Sequence, residues 1–203
     1  MNPQISLAVV LLSLVVHRPT LTLGADPTEF IQKVCSICSQ YEPKDPTLYP
    51  RLCTKFMSPF AAEIAGDLGR AAIKSVELEI STINETLDYL KKFKPLPVTS
   101  AYMLQNIQLA INCLSSTTEN HDTSVDGIKS LVPKPANMLR TDFEDKVLEV
   151  HSAMLLDIDY VKECLESFDS PESPVKMDII ARLKGVIARA TVAKCMIYPY
   201  SQQ

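Results

Sequence analysis

Tryptophan is absent from the 203 residues, and glycine occurs only five times. That shortage argues against a β-sandwich and against a Gly-rich phosphate loop. The patterns G-x-G-x-x-G, P-loop, H-E-x-x-H and G-x-S-x-G are all missing. Of the histidines, only His121 and His151 lie beyond residue 25. They make no visible nucleophile–base pair, so an enzyme is the least expected class. After residue 16 no apolar run is long enough to span a bilayer, and no KDEL-like retrieval signal is present.

What is there begins with residues 5–16, ISLAVVLLSLVV, followed by small-residue cleavage sites around Leu23-Gly24-Ala25. The run is short for a membrane anchor and suits an export leader spanning 1–25, although its only n-region charge is the terminal amine. Removing the leader leaves 178 residues, enough for one domain with a sizeable core. The leader holds Arg18 and no acid, so the net charge moves from −4 to −5. This disfavours nucleic acid or an anionic membrane as a partner and weakly favours a basic one.

Four apolar stripes predict four long helices. Ile73, Val76, Ile80, Ile83, Leu87 and Leu90 form the first, in a helix over 60–90 that Pro95 and Pro97 end. The second follows Ser100 as N-cap and runs Leu104, Ile107, Ile111, Leu114, Thr118, His121, Val125, Ile128 and Val132, stopped by Pro133-Lys134-Pro135. Thr141-Asp142-Phe143-Glu144 reads as a capping box for the third. Its stripe is Phe143, Val147, Val150, Met154, Ile158, Val161, Leu165 and Phe168, with a change of winding expected between Met154 and Ile158. Ser173-Pro174 opens the fourth, with Ile179, Leu183, Val186, Ala190, Ala193 and Ile197 on its stripe and Tyr198-Pro199-Tyr200 at its end. The expected fold class is all-α: an up-down four-helix bundle over 59–203 behind an N-terminal helical hairpin over 26–58, together one domain over 26–203.

Six cysteines follow the leader, an even set with fifteen pairings. An exported chain meets an oxidising medium, where such thiols pair. Cys113 and Cys164 each precede a stripe residue, a suitable place for a staple between helices. Cys35-Ser36-Ile37-Cys38 is formally C-x-x-C. It lacks the βαβ context of a redox motif and the second ligand pair of a zinc site, so structural disulfides are expected and no metal or cofactor.

Phe30-Ile31-x-x-x-Cys35, Thr47-x-Tyr49-Pro50-x-x-Cys53, Ala110-x-x-Cys113 and Ser152-Ala153-Met154-Leu155 before Cys164 occur in that order behind the leader. In this the chain resembles the plant invertase and pectin methylesterase inhibitor family over essentially its whole length after the leader. The resemblance implies a secreted four-helix bundle with a helical hairpin and two disulfides, Cys35 with Cys53 and Cys113 with Cys164. Closing those loops stabilises by about 3 and about 4 kcal/mol in the chain-entropy treatment. The first spacing is longer than the family's, and Cys38 lies inside the insertion, where it is an alternative partner for Cys53. Cys195 has no family counterpart. Cys38 and Cys195 either form a third bridge or stay free.

The resemblance further implies an inhibitor that caps an enzyme's active-site cleft non-covalently. The expected target is pectin methylesterase in the cell wall or apoplast, with no membrane attachment once the leader is gone. The alternative is cell-wall or vacuolar acid invertase, and a vacuolar location would go with it. Some invertase inhibitors of the family carry Pro-Lys-Phe after the second bundle helix; Pro133-Lys134-Pro135 lacks the Phe. If the second and third bundle helices dock, Asn112, Ser116, Glu119 and Thr123 are the candidate contacts, with a solvated helix face as the plainer reading of each. A non-inhibitory secreted binding protein is the reading from another class. His121 interrupts a stripe; a core-edge histidine is expected there, a pH-sensitive element being the alternative. Asn84-Glu85-Thr86 is a glycosylation sequon placed mid-helix.

Overall fold

The computed structural model describes residues 26–41, 45–94, 101–166, 168 and 173–202, without the side chains of 41, 119–124 and 155–157. The leader over 1–25, Pro95, Pro97 and the Ser100 cap lie outside the described residues. Of the described residues 86% are helical and none is in a strand. Among them, no helix is long and apolar enough to cross a membrane.

Two short helices come first, α1 (Pro27–Cys35) and α2 (Leu48–Met57), with a 3-10 turn at Ser36–Tyr41 after α1. Asp26 caps α1 by accepting from the Thr28 N–H at 2.9 Å, and Pro27 takes the first helical position, where no N–H is needed. A 3-10 turn at Ser58–Phe60 leads into the single turn α3 (Ala61–Ile64). Four long helices follow: α4 (Leu68–Lys91), α5 (Ala101–Ser130), α6 (Arg140–Glu166) and α7 (Pro174–Ser201).

Several boundaries differ from the sequence expectation. The first long helix starts at Leu68 rather than near Phe60. Ala65 and Gly66 take positive φ (50° and 76°), which ends α3, and Asp67 then caps α4 by accepting from the Arg70 N–H at 2.8 Å. The α6 helix already begins at Arg140, so Thr141 lies in its first turn instead of capping it. It continues as α-helix through the stretch where a winding change was expected. Ser173 does cap α7, accepting from the Lys176 N–H at 3.1 Å. That helix runs on to Ser201 with Pro199 inside, since a proline in the last turn removes only one backbone hydrogen bond at the helix end.

Most stripe residues lie in the core, but Ile111, Thr118, Val125, Val132 and Leu165 are only half-buried, and Cys164 rather than Leu165 is fully inside. Leu104 is 41% exposed, and the buried face of α5 is instead Met103, Ile107, Ala110 and Leu114. On α4, Ile73 and Ile80 are only half-buried, whereas Val76, Ile83, Leu87 and Leu90 are fully inside. The core has two parts. One joins the start of α4, the end of α5, the start of α6 and the end of α7, together with Phe30, Ile31, Val34, Cys53 and Met57 of the two short helices. The other joins the remaining halves of the four long helices. Each long helix packs chiefly on two others, in the ring α4, α5, α6, α7. The α1–α2 pair packs on α7 and shares its core.

Candidate partner-docking face

All six cysteines are joined: Cys35 with Cys53, Cys38 with Cys195, and Cys113 with Cys164. The first bridge closes α1 onto α2. The second runs from the 3-10 turn to the last turns of α7, across 157 residues, and both of its cysteines are fully buried. Cys38 therefore does not compete with Cys35 for Cys53. The third staples α5 to α6 with 6.6 Å between the Cα atoms.

That staple marks one flank of the outward face of α5. The other flank is an ion pair, with Lys129 Nζ 3.1 Å from Glu77 Oε1 on α4. Glu77 also meets Lys74 at 3.0 Å, and Lys74 meets Glu63 of α3 at 2.7 Å. Partial burial would raise the Glu77 carboxyl, but the two ammonium groups outweigh it and leave it below the usual range. Between these flanks Asn112 and Ser116 are exposed one helical turn apart. The Asn112 carboxamide oxygen accepts from Gln108 Nε2 at 2.9 Å, and the Ser116 hydroxyl donates to the Asn112 carbonyl at 3.0 Å. The structure thus brings together two of the four candidate contacts. Glu119 and Thr123 follow on the same helix, but their side chains, like that of His121, lie outside the described residues.

The connection between α5 and α6 holds Pro133-Lys134-Pro135. Its lysine folds inward, with the Lys134 ammonium 4.8 Å from the Phe143 ring centroid. Phe143 in turn meets Tyr200 edge-on at 5.3 Å. Asn84 is exposed on α4, at the rim of an open depression between α4 and α5 lined by Glu77, Ile80, Ser81, Val125 and Asp126.

Sequence reasoning had no role for His151. It sits half-buried on α6, its ring 6.3 Å from that of Tyr198, and burial together with the Lys194 charge pushes its pKa below the usual value. Its stripe neighbours Val150 and Met154 carry the only signal that could have placed it at the core edge. Among the described residues, no three metal-ligating side chains gather. Exposed amides and hydroxyls on a stapled helix can form hydrogen bonds with a partner.

Compared with known proteins, the chain matches no family model, no curated protein and no solved structure.

Proposed function

We propose that this protein is a secreted, non-catalytic inhibitor of the plant invertase and pectin methylesterase inhibitor type. In this reading the four long helices form an up-down bundle, α1 and α2 form its hairpin arm, and the outward face of α5 with its α6 side caps the active-site cleft of pectin methylesterase one to one. The carrying observation is the coincidence of motif and frame. The residues that carry the family resemblance bracket two of the bridges, Cys35–Cys53 around Thr47-x-Tyr49-Pro50 and Cys113–Cys164 between the second and third long helices. The core supports the bundle reading, because each half of it draws on alternate ends of successive helices. A stapled helix loses little freedom on docking, which favours binding without any catalytic group. A cap of this kind needs an interface of about 1,600 Å².

The invertase alternative is disfavoured by one observation. The lysine of Pro133-Lys134-Pro135 is engaged with the protein's own Phe143 and is not offered outward. Extracellular placement in the cell wall or apoplast belongs to the same proposal.

The test is a titration of the purified, oxidised protein against pectin methylesterase and cell-wall invertase at mildly acidic pH. Near-stoichiometric loss of pectin methylesterase activity alone is expected. The double variant Asn112→Arg with Ser116→Arg is expected to weaken inhibition tenfold or more, about 1.4 kcal/mol or above, with unchanged thermal unfolding. Inhibition of invertase alone would move the target. No effect on several isoforms of either enzyme would sink the inhibitor reading and favour a non-inhibitory binding protein.

A further inference from the structure

We propose that Asn84 carries an N-linked glycan, that the glycan is added before α4 acquires its neighbours, and that its first sugars settle in the depression between α4 and α5. The inference rests on the export part of the proposed function and not on which enzyme, if any, the protein inhibits.

The sequon Asn84-Glu85-Thr86 lies inside a regular helix, where residues two apart do not share a face. Asn84 accordingly faces solvent, while Thr86 is 3% exposed and its hydroxyl donates to the Thr82 carbonyl at 2.7 Å. A transferase that must read the asparagine amide and the threonine hydroxyl together finds them split between surface and core. The folded helix is therefore a poor acceptor, and the nascent chain a good one.

Chain order supplies the interval. The principal neighbours of α4 are α5 and α7, and both are made after it. Pro174, the first residue of α7, follows Asn84 by about 90 residues, which is about 5–20 s of synthesis at 5–20 residues per second. During that time α7, the neighbour on which α4 packs most, is not yet present, and α5 itself is not complete until Ser130 has been made. In the transfer, the Asn84 amide nitrogen attacks the anomeric carbon of a lipid-linked oligosaccharide pyrophosphate. The new C–N bond forms, the C–O bond to pyrophosphate breaks, the lipid pyrophosphate leaves with the electron pair, and the amide nitrogen loses one proton.

The place for the sugar is beside the asparagine. The depression measures about 470 Å³, within the range of small-molecule sites. Among the described residues its lining includes the half-buried Ile80 of α4 and Val125 of α5, with the exposed Asp126 and Ser81 beside them. The apolar face of a sugar ring suits the two aliphatic side chains, and its hydroxyls suit the two polar ones. Ile80 belongs to the apolar stripe of α4 yet stays partly uncovered by protein. A covalently tethered occupant at the rim accounts for an apolar residue left there.

The experiment expresses the full chain with its own leader in a eukaryotic secretory host. Intact mass before and after peptide N-glycosidase F, with peptide mapping, is expected to show one glycan and conversion of residue 84 to Asp. Hydrogen exchange over residues 77–84 and 125–126 is expected to be slower in the glycosylated protein than in the enzymatically deglycosylated one and in Asn84→Gln. In a second assay, bacterially made, refolded protein and its reduced, carboxymethylated form are offered to oligosaccharyltransferase with a lipid-linked donor. The unfolded form is expected to be modified at least tenfold faster. An unmodified Asn84 in exported protein, or a chain that is never exported, overturns the site. Unchanged exchange overturns the seating in the depression, and equal transfer rates overturn the order of events. A glycosylated protein that inhibits neither enzyme leaves this inference standing.

Discussion

Tyr200 holds the end of α7 to the segment that follows α5. Its hydroxyl donates to the Leu131 carbonyl at 2.6 Å, and burial pushes its own pKa up to about 12, so it remains a donor at any ordinary pH. Gly69 permits this closeness, because a Cβ there would meet Val132 at 2.8 Å and the Tyr200 ring at 3.1 Å. Tyr200→Phe keeps the ring and deletes the donor, leaving a buried carbonyl unpaired. We expect a loss of about 1–2 kcal/mol, read as a lower denaturant midpoint at unchanged m-value. An unchanged midpoint would show that the bond has no net worth. His151 sets a pH dependence. Its pKa is lowered in the fold by burial and by Lys194, with the Tyr198 ring beside it. The unfolded chain therefore binds the proton more readily, and stability is lost as pH falls from about 6.5 through the lower folded pKa. Unfolding free energy measured from pH 7.5 to 4.5 should decline in that window, and His151→Gln should flatten the decline. A slope identical in the variant would assign the decline to other groups.

At the scale of elements, the short helices are fastened rather than appended. The Cys38–Cys195 bridge spans 157 residues, and Arg189 of α7 stacks on Phe56 of α2 with its guanidinium 4.5 Å from the ring centroid. Replacing both cysteines with Ala should cost up to about 5 kcal/mol in the chain-entropy treatment. Amide exchange in α1 and α2 should rise more than in α4–α6. Equal loosening everywhere would mean the bridge acts on the whole molecule rather than on the arm. The same packing explains what periodicity missed in α7. Its stripe Ile179, Leu183, Val186, Ala190, Ala193 and Ile197 is buried as read. Toward the C-terminus Thr191, Val192, Cys195, Met196, Tyr200 and Ser201 are buried too. A stripe shows which side of a helix meets one neighbour; α1 and α2 cover a second side, and their arrival leaves no mark on the 3.6-residue period.

Over the whole molecule, an acidic chain (net charge −4) whose helices are stapled by three disulfides is compatible with the proposed action by surface contact. In the docking proposed above, a glycan on Asn84 would occupy the α4 side of the outward face of α5. The partner would then approach from the α6 side, beside the Cys113–Cys164 staple. The sequence by itself determined the all-helical class, three of the four long helices within a few residues, and much of the buried side of α4, α6 and α7. Those follow from local spacing, proline breaks and side-chain capping, which act within one or two turns. Only the tertiary structure decided that Cys38 reaches Cys195, that Met103 rather than Leu104 faces inward, that Lys134 folds onto Phe143, and that Tyr200 meets Leu131. Each of those depends on where two distant segments come to lie, and the period of one helix carries no information about the position of another.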